Sequence, residues 1–224
     1  MKQIRSIAVL GILHLLTATP LQAQKKVSEL MLVYDYSVVT EGSGGVKKSD
    51  GVQGARHTVY IKGSKSRSEM TDSLFSSTTL FDANTGAAVI LKEVSGQKLL
   101  IRLTPENWRE RNSVYSGIEF TNTTDTKEIA GYKCVKATAK TGLGTTITVF
   151  YTKDIMPENR EYDPQFRNLE GLPLEYELTR GNVQIRYRAA SINFNPVPAS
   201  KFDIPATGYR ELKYEESKKS NNGG

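Results

Sequence analysis

The stretch EGLPLEYELTRGNVQIRYR (170–188) alternates apolar and charged residues on both sides of a Gly-Asn pair. A two-residue hairpin loop with glycine first matches a II′ turn, whose twist suits the flanking strands. With Gly181-Asn182 as that loop, Leu178 faces Ile185 and Tyr176 faces Tyr187 on one side of the hairpin. Glu177 then faces Arg186, and Glu175 faces Arg188, on the other. Moving the loop to Arg180-Gly181 would set Glu177 against Gln184, so charge pairing favours the first register. Each matched pair contributes about 0.2–1 kcal/mol. The charged ladder reads as a solvated outer face, and the apolar side as the wall of a core or a cavity.

Outward from this hairpin, nearly every segment has the two-residue period of a strand. SELMLVYDYSVV puts Leu30, Leu32, Tyr34, Tyr36 and Val38 on one face, and RHTVYIKG does the same with Val59 and Ile61. GAAVILKEV and QKLLIRLT flank the turn SGQ and read as a second hairpin. Roughly eleven or twelve strands follow from this pattern. One helix is signalled, in LTPENWRER: Thr104 can cap it, Pro105 suits its first position, and Glu106 favours its positive end. The stretch 154–168 reads as a long loop, with or without a short helix. The Gly-, Ser- and Lys-rich stretch 40–55 reads as a mobile loop.

So many strands with so little helix must close, curl or be covered to bury one face. The expected fold is mainly β: a single curved antiparallel sheet or incomplete barrel with a short helical or loop lid. A two-sheet sandwich is the alternative. The expected organisation is a signal peptide at 1–23, one β domain at 24–210 and a flexible charged tail at 211–224. The signal reading rests on Lys2 and Arg5, an apolar run at 7–16, and small residues leading to Ala23. That run is too short for a membrane span, and no cysteine lies near the cleavage point. The expected location is therefore the periplasm, as a soluble protein rather than a lipoprotein.

Net charge is +6, falling by two without Lys2 and Arg5, and the charges are scattered, which does not indicate a nucleic-acid surface. One cysteine, Cys134, and two histidines, His14 and His57, leave little material for metal binding or nucleophilic catalysis. Cys134 reads as a small buried hydrophobe. Glu158, Glu161 and Asp163 gather in PENREYD without the spacing of a calcium loop. TGLGTT (141–146) opens no helix and lacks a phosphate-binding lysine, so it reads as a hairpin turn. No cofactor and no catalytic or metal site is expected.

In order along the chain, KSRSEM, IAGYKCVKATA, FYTKDI, EGLPLEYEL and VPASKFDIPATGY resemble exported bacterial proteins of unknown function that share the fold of the outer-membrane lipoprotein carriers, LolA and LolB. The middle segments also resemble the GLPGLI family of diderm, Bacteroidetes-type bacteria, departing from it at GLPLEYE. The resemblance implies an incomplete barrel around an apolar concavity. It implies structural roles for Gly131, Tyr132, Gly171, Pro173, Phe202, Pro205 and Tyr209, and transfers no acyl-contacting residue.

The function expected on these grounds is a non-enzymatic periplasmic carrier for a lipid, acyl chain or lipidated partner. Its ligand-lining candidates are Leu32, Tyr34, Leu99, Ile101, Tyr176, Ile185 and Tyr187, with Trp108 on the lid. The alternative is an envelope interaction module whose core is filled. An enzyme with distant paired carboxylates is the third reading, and nothing in the sequence marks such a pair.

Overall fold

The computed structural model describes residues 24–41, 47–72, 75–180 and 183–221. The proposed signal segment, 1–23, and the loop residues 181–182 lie outside them. Fourteen strands form: β1 (Lys25–Val27), β2 (Glu29–Glu41), β3 (Lys47–Lys62), β4 (Lys65–Thr71), β5 (Phe75–Asp82), β6 (Ala87–Val94), β7 (Gln97–Leu103), β8 (Thr121–Ile129), β9 (Tyr132–Lys140), β10 (Thr146–Thr152), β11 (Ile155–Pro157), β12 (Leu172–Arg180), β13 (Val183–Asn193) and β14 (Arg210–Glu211). Among the described residues two α-helices accompany them, α1 (Pro105–Arg111) and α2 (Tyr214–Asn221).

Twelve strands make one open sheet in the order β14-β7-β6-β5-β4-β3-β2-β13-β12-β10-β9-β8. Only the β14–β7 pairing in it is parallel. The chain builds two meanders, β2–β7 and β8–β10, and the β12–β13 hairpin slots between β10 and β2 to join them. That hairpin takes the register read from the sequence: Glu175 opposite Arg188, Tyr176 opposite Tyr187, Glu177 opposite Arg186 and Leu178 opposite Ile185.

Curvature follows from chain length. Ten strand spacings separate β7 from β8, about 48 Å in a flat sheet. The connection 104–120, with α1 in it, reaches only about 45 Å at full stretch. It also folds into a 3-10 turn at Ser113–Tyr115, so the sheet has to curl to let it cross. α1 begins as its sequence suggests. Thr104 Oγ1 accepts from the Asn107 N–H at 3.2 Å, and Asn107 Oδ1 accepts from the Thr104 N–H at 3.3 Å.

Register divides the side chains between two faces. The core face carries Leu30, Leu32, Tyr34, Tyr36, Val59, Ile61, Val149, Tyr176 and Tyr187 in the main core. Continuing along the same rows into β5–β7, it carries Phe81, Ala88, Ile90, Ile101 and Leu103, covered by Trp108 of α1 and Tyr214 of α2. Between these patches the rows pass through Ser68, Met70, Ser77 and Thr79, all half-buried. The reverse face carries a third, small cluster: Leu80, Val89, Leu91 and Leu100, packed by Phe202 and Tyr209.

The structure differs from the sequence reading in three places. Of the stretch 40–55 read as a mobile loop, 40–41 belong to β2 and 47–55 to β3, because the two strands stay paired as far as Lys47 opposite Glu41, while 42–46 lie outside the described residues. Residues 211–221, part of the stretch 211–224 read as a flexible tail, end β14 and form α2, while 222–224 lie outside the described residues. They belong to a strap formed by the segment after 197. It crosses the reverse face, adds β14 to the edge of β7, and turns to bury Tyr214 and Ser217 on the core face. Lys218 Nζ ties its helix to Glu110 of α1 at 2.8 Å. Finally, the charged ladder of the β12–β13 hairpin is not fully solvated. Glu175 is only 6% exposed, because Lys127 of the edge strand β8 folds back to 2.5 Å from it and Arg188 also bonds it. A buried carboxylate needs such partners, and Lys127 is distant in sequence.

Candidate functional site

The predicted lining residues fall into two groups on one face. Leu32, Tyr34, Tyr176 and Tyr187 are buried in the main core, with Ile185 half-buried against it. Ile101 and Trp108 belong to the second patch, and Leu99 is half-buried in the row that runs from Tyr34 through His57, Met70, Ser77 and Lys92. Leu32 and Ile101 likewise end a single row, separated by Val59, Ser68, Thr79 and Ile90.

The first group is packed with aromatic rings. Tyr176 stacks on Tyr187 at 4.8 Å between centroids, and meets Phe166 edge-on at 4.9 Å and Tyr34 at 5.5 Å. Tyr34 stacks on His57 at 5.4 Å. Phe166, Leu169 and Ile118 complete the covering of this face; the first two come from the 160–169 segment, which reads as a loop in the sequence and forms two 3-10 turns. Tyr34 and His57 find polar partners inside. Tyr34 Oη donates to the Pro173 carbonyl at 2.7 Å. His57 Nε2 lies 2.8 Å from Ser68 Oγ, and its Nδ1 lies 3.3 Å from Tyr176 Oη.

Two buried ionisable groups respond in opposite ways. Burial pushes the His57 imidazole down to about 4 and the Asp163 carboxyl up to about 6. Between pH 4 and 6.5 the unfolded chain protonates His57 and the folded one does not, so this contribution is lost as pH falls. Asp163 keeps its proton longer when folded, so its contribution is lost as pH rises from about 4 to 6. Relative to wild type, His57→Gln is therefore expected to gain stability on acidification across this window, and Asp163→Asn to gain it on alkalinisation. Each change should be on the order of 2–3 kcal/mol, read from urea unfolding at pH 4 and 6.5. Parallel pH dependences in all three proteins would contradict the assignment.

His57 is buried among rings, and Cys134 is buried with its thiol pushed up to about 11. Among the described residues no three His, Cys, Asp or Glu side chains gather as metal ligands.

Open space lies elsewhere. A cleft of about 330 Å³ opens on the reverse face. Two rows build it: Lys65, Asp82 and Ala87 in one, and Leu80, Val89 and Arg102 in the next. Phe202 and Ile204 of the strap overhang them, and Ile204 is 41% exposed. The sequence contains a signal for this cleft. AAVIL in β6 and LLI in β7 are apolar at consecutive positions, the mark of strands covered on both faces. A second cleft, of about 400 Å³, lies between α1 with its following 3-10 turn and the turn holding Pro164 and Arg167. Trp108 lines it while stacking on Phe81 at 4.9 Å, so it serves both as a core anchor and as part of a rim.

No helix among the described residues is long and apolar enough to cross a membrane. No family model matches the chain, and no curated protein matches it in sequence. Solved structures do match. PNGF-II aligns with a TM-score of 0.54 and 16% identity, over 87% of this chain and 33% of that one. MucB gives 0.33 and 12%, over 80% and 58%. A β-barrel-like protein of family DUF1849 from Brucella abortus gives 0.33 and 8%, over 76% and 99%. The chain thus spans about a third of the PNGF-II structure, and what the two have in common is the fold: a large, curved, open β-sheet.

Proposed function

We propose that this protein is a non-enzymatic binding protein of the cell envelope that holds the apolar part of an amphiphile in the reverse-face cleft. The observation that carries the reading is the cleft itself. Leu80, Val89 and Ala87 form an apolar floor under an incomplete roof of Phe202 and Ile204. Its volume, about 330 Å³, falls within the range of small-molecule sites. The core face, where the sequence pattern suggests a greasy wall, is occupied at Leu32, Tyr34, Tyr176 and Tyr187 by the protein's own rings. Envelope placement is supported by the signal-like segment 1–23.

An acyl chain entering this cleft gains about 0.8 kcal/mol per methylene buried. Titration with the fluorescent fatty acid dansyl-undecanoate is expected to show saturable binding. Ile204→Asp, at the exposed rim, and Val89→Trp, which fills the floor, should each weaken it at least tenfold. Tyr187→Phe should leave it unchanged. Wild-type protein that takes up no probe, or rim and floor variants that bind as wild type does, would favour the second reading: an interaction module whose filled aromatic core serves as scaffold.

A further inference from the structure

Resting on the reading of the reverse-face cleft as the binding site, we propose that residues 198–208 are its lid. The segment is fixed at both ends, swings away to admit the ligand, and is held shut through Lys201.

The two ends are firmly anchored. Val197 is buried, and its N–H donates to Glu29 Oε2 at 2.8 Å, with Glu29 in turn held by Lys62 at 2.7 Å. At the other end β14 pairs Arg210 with Leu99 and Glu211 with Leu100, and the Leu212 N–H donates to the Leu100 carbonyl at 2.9 Å. Between these anchors nothing from 198 to 208 is buried; Lys201, Phe202 and Pro205 are half-buried and the others exposed. The segment's backbone bonds close on itself, from the Lys201 N–H to the Pro198 carbonyl at 3.1 Å and from the Asp203 N–H to the Ser200 carbonyl at 3.3 Å. Among the described residues, a single hydrogen bond joins it to the sheet: Arg67 Nη1 donates to the Lys201 carbonyl at 2.9 Å. A stretch with so few buried contacts and bonds opens more readily than the sheet beneath it.

Lys201 concentrates what holds the segment down. Besides the bond to its carbonyl, its ammonium sits 4.7 Å from the centre of the Tyr60 ring, a cation–π contact. Tyr60 and Arg67 begin the cross-strand row that continues through Leu80 and Val89 of the cleft floor to Arg102. The latch is therefore built on the floor's own row, and Phe202, next to Lys201 in the chain, packs against the Leu80 and Val89 cluster. Leu80 and Val89 are 6% and 7% exposed, so a ligand lies fully along them only once Phe202 has moved. Gly208 supplies a hinge. Its φ is +86° and no atom lies within 4 Å of where a Cβ would stand, so the backbone can turn there without a clash.

Thiol labelling tests the lid without any ligand. Val89→Cys places a thiol beneath the roof, and Cys134, the chain's one native cysteine, is fully buried in the main core and reports global unfolding. Under native conditions iodoacetamide is expected to label the introduced thiol at least tenfold faster than Cys134, read by mass spectrometry. Adding Lys201→Gln should speed labelling of the introduced thiol at least threefold and leave Cys134 unchanged. In stopped-flow mixing with dansyl-undecanoate, Lys201→Gln alone should raise the association and dissociation rates together. Equal labelling of the two thiols, no acceleration by Lys201→Gln, or a rise in the dissociation rate alone would overturn the lid. Wild-type protein that takes up no dansyl-undecanoate counts against the cleft as a binding site, and the labelling rates still decide whether the segment opens.

Discussion

Replacing Tyr176 by alanine is expected to lower folding stability by about 3–5 kcal/mol, the cost of removing a large buried ring. Its ring contacts four others: Tyr187 stacked at 4.8 Å, Phe166 at 4.9 Å, Tyr34 at 5.5 Å and, through its hydroxyl, His57 at 3.3 Å. The cavity left behind could not collapse easily, because these rings are anchored on four separate segments of the chain. Tyr176→Phe keeps the rings and removes only a long hydrogen bond, so it should cost about 1 kcal/mol or less. Both values follow from urea-unfolding midpoints. A loss below about 1 kcal/mol for the alanine variant would mean soft space beside Tyr176, the property a ligand chamber on the core face would need.

The second large effect is expected at Gly171. A Cβ there would sit 2.0 Å from the Thr152 carbonyl oxygen and 2.8 Å from Tyr151 Cδ2. The first neighbour is backbone of the central strand β10, and Tyr151 is a fully buried side chain held at 2.9 Å to Asn122. Neither can move without breaking the pairing of β10 with β12, which is already irregular at Phe150/Tyr151. Gly171→Ala should therefore cost about 3 kcal/mol or more, at or above the upper end of ordinary overpacking. A Gly131→Ala control meets no atom within 4 Å and suffers only from a φ of +80°, so it should cost about 1–2 kcal/mol. A loss at Gly171 no larger than that at Gly131 would show that the β10 backbone and Tyr151 yield to the added methyl.

These two sites show what was legible in the chain. The alternation of 170–188, with its charge pairing, yields the hairpin register residue for residue, because strand period and cross-strand charge are local. The α1 cap is legible for the same reason. Gly171 announces itself as a glycine at a strand start, which suggests a turn; that it abuts Thr152 depends on a strand about twenty residues earlier in the chain. The burial of Glu175 depends on Lys127 in the same nonlocal way. Parity groups the strand candidates on one face, which is the core face, but parity says nothing of what lies above that face. Phe166 and Leu169, which cover it, sit in a segment without strand or helix period.

The strap was hidden for a related reason. Its residues 211–221 are rich in charges of both signs, and among those whose burial is described, 211–218, Tyr214 and Ser217, three positions apart, are the buried ones. That is one helical turn, too little periodicity to stand out from a solvated tail. Its consequence is structural asymmetry. The same segment roofs the reverse-face cleft with Phe202 and Ile204 and then clasps α1 on the opposite face.

The most direct test of where an apolar ligand sits is a methyl NMR titration of the protein with laurate. Shifts concentrated at Leu80, Val89 and Ile204, with Leu32, Leu174 and Ile185 unmoved, are predicted. Shifts concentrated instead at Leu32, Leu174 and Ile185 would contradict the account and return the ligand to the core face.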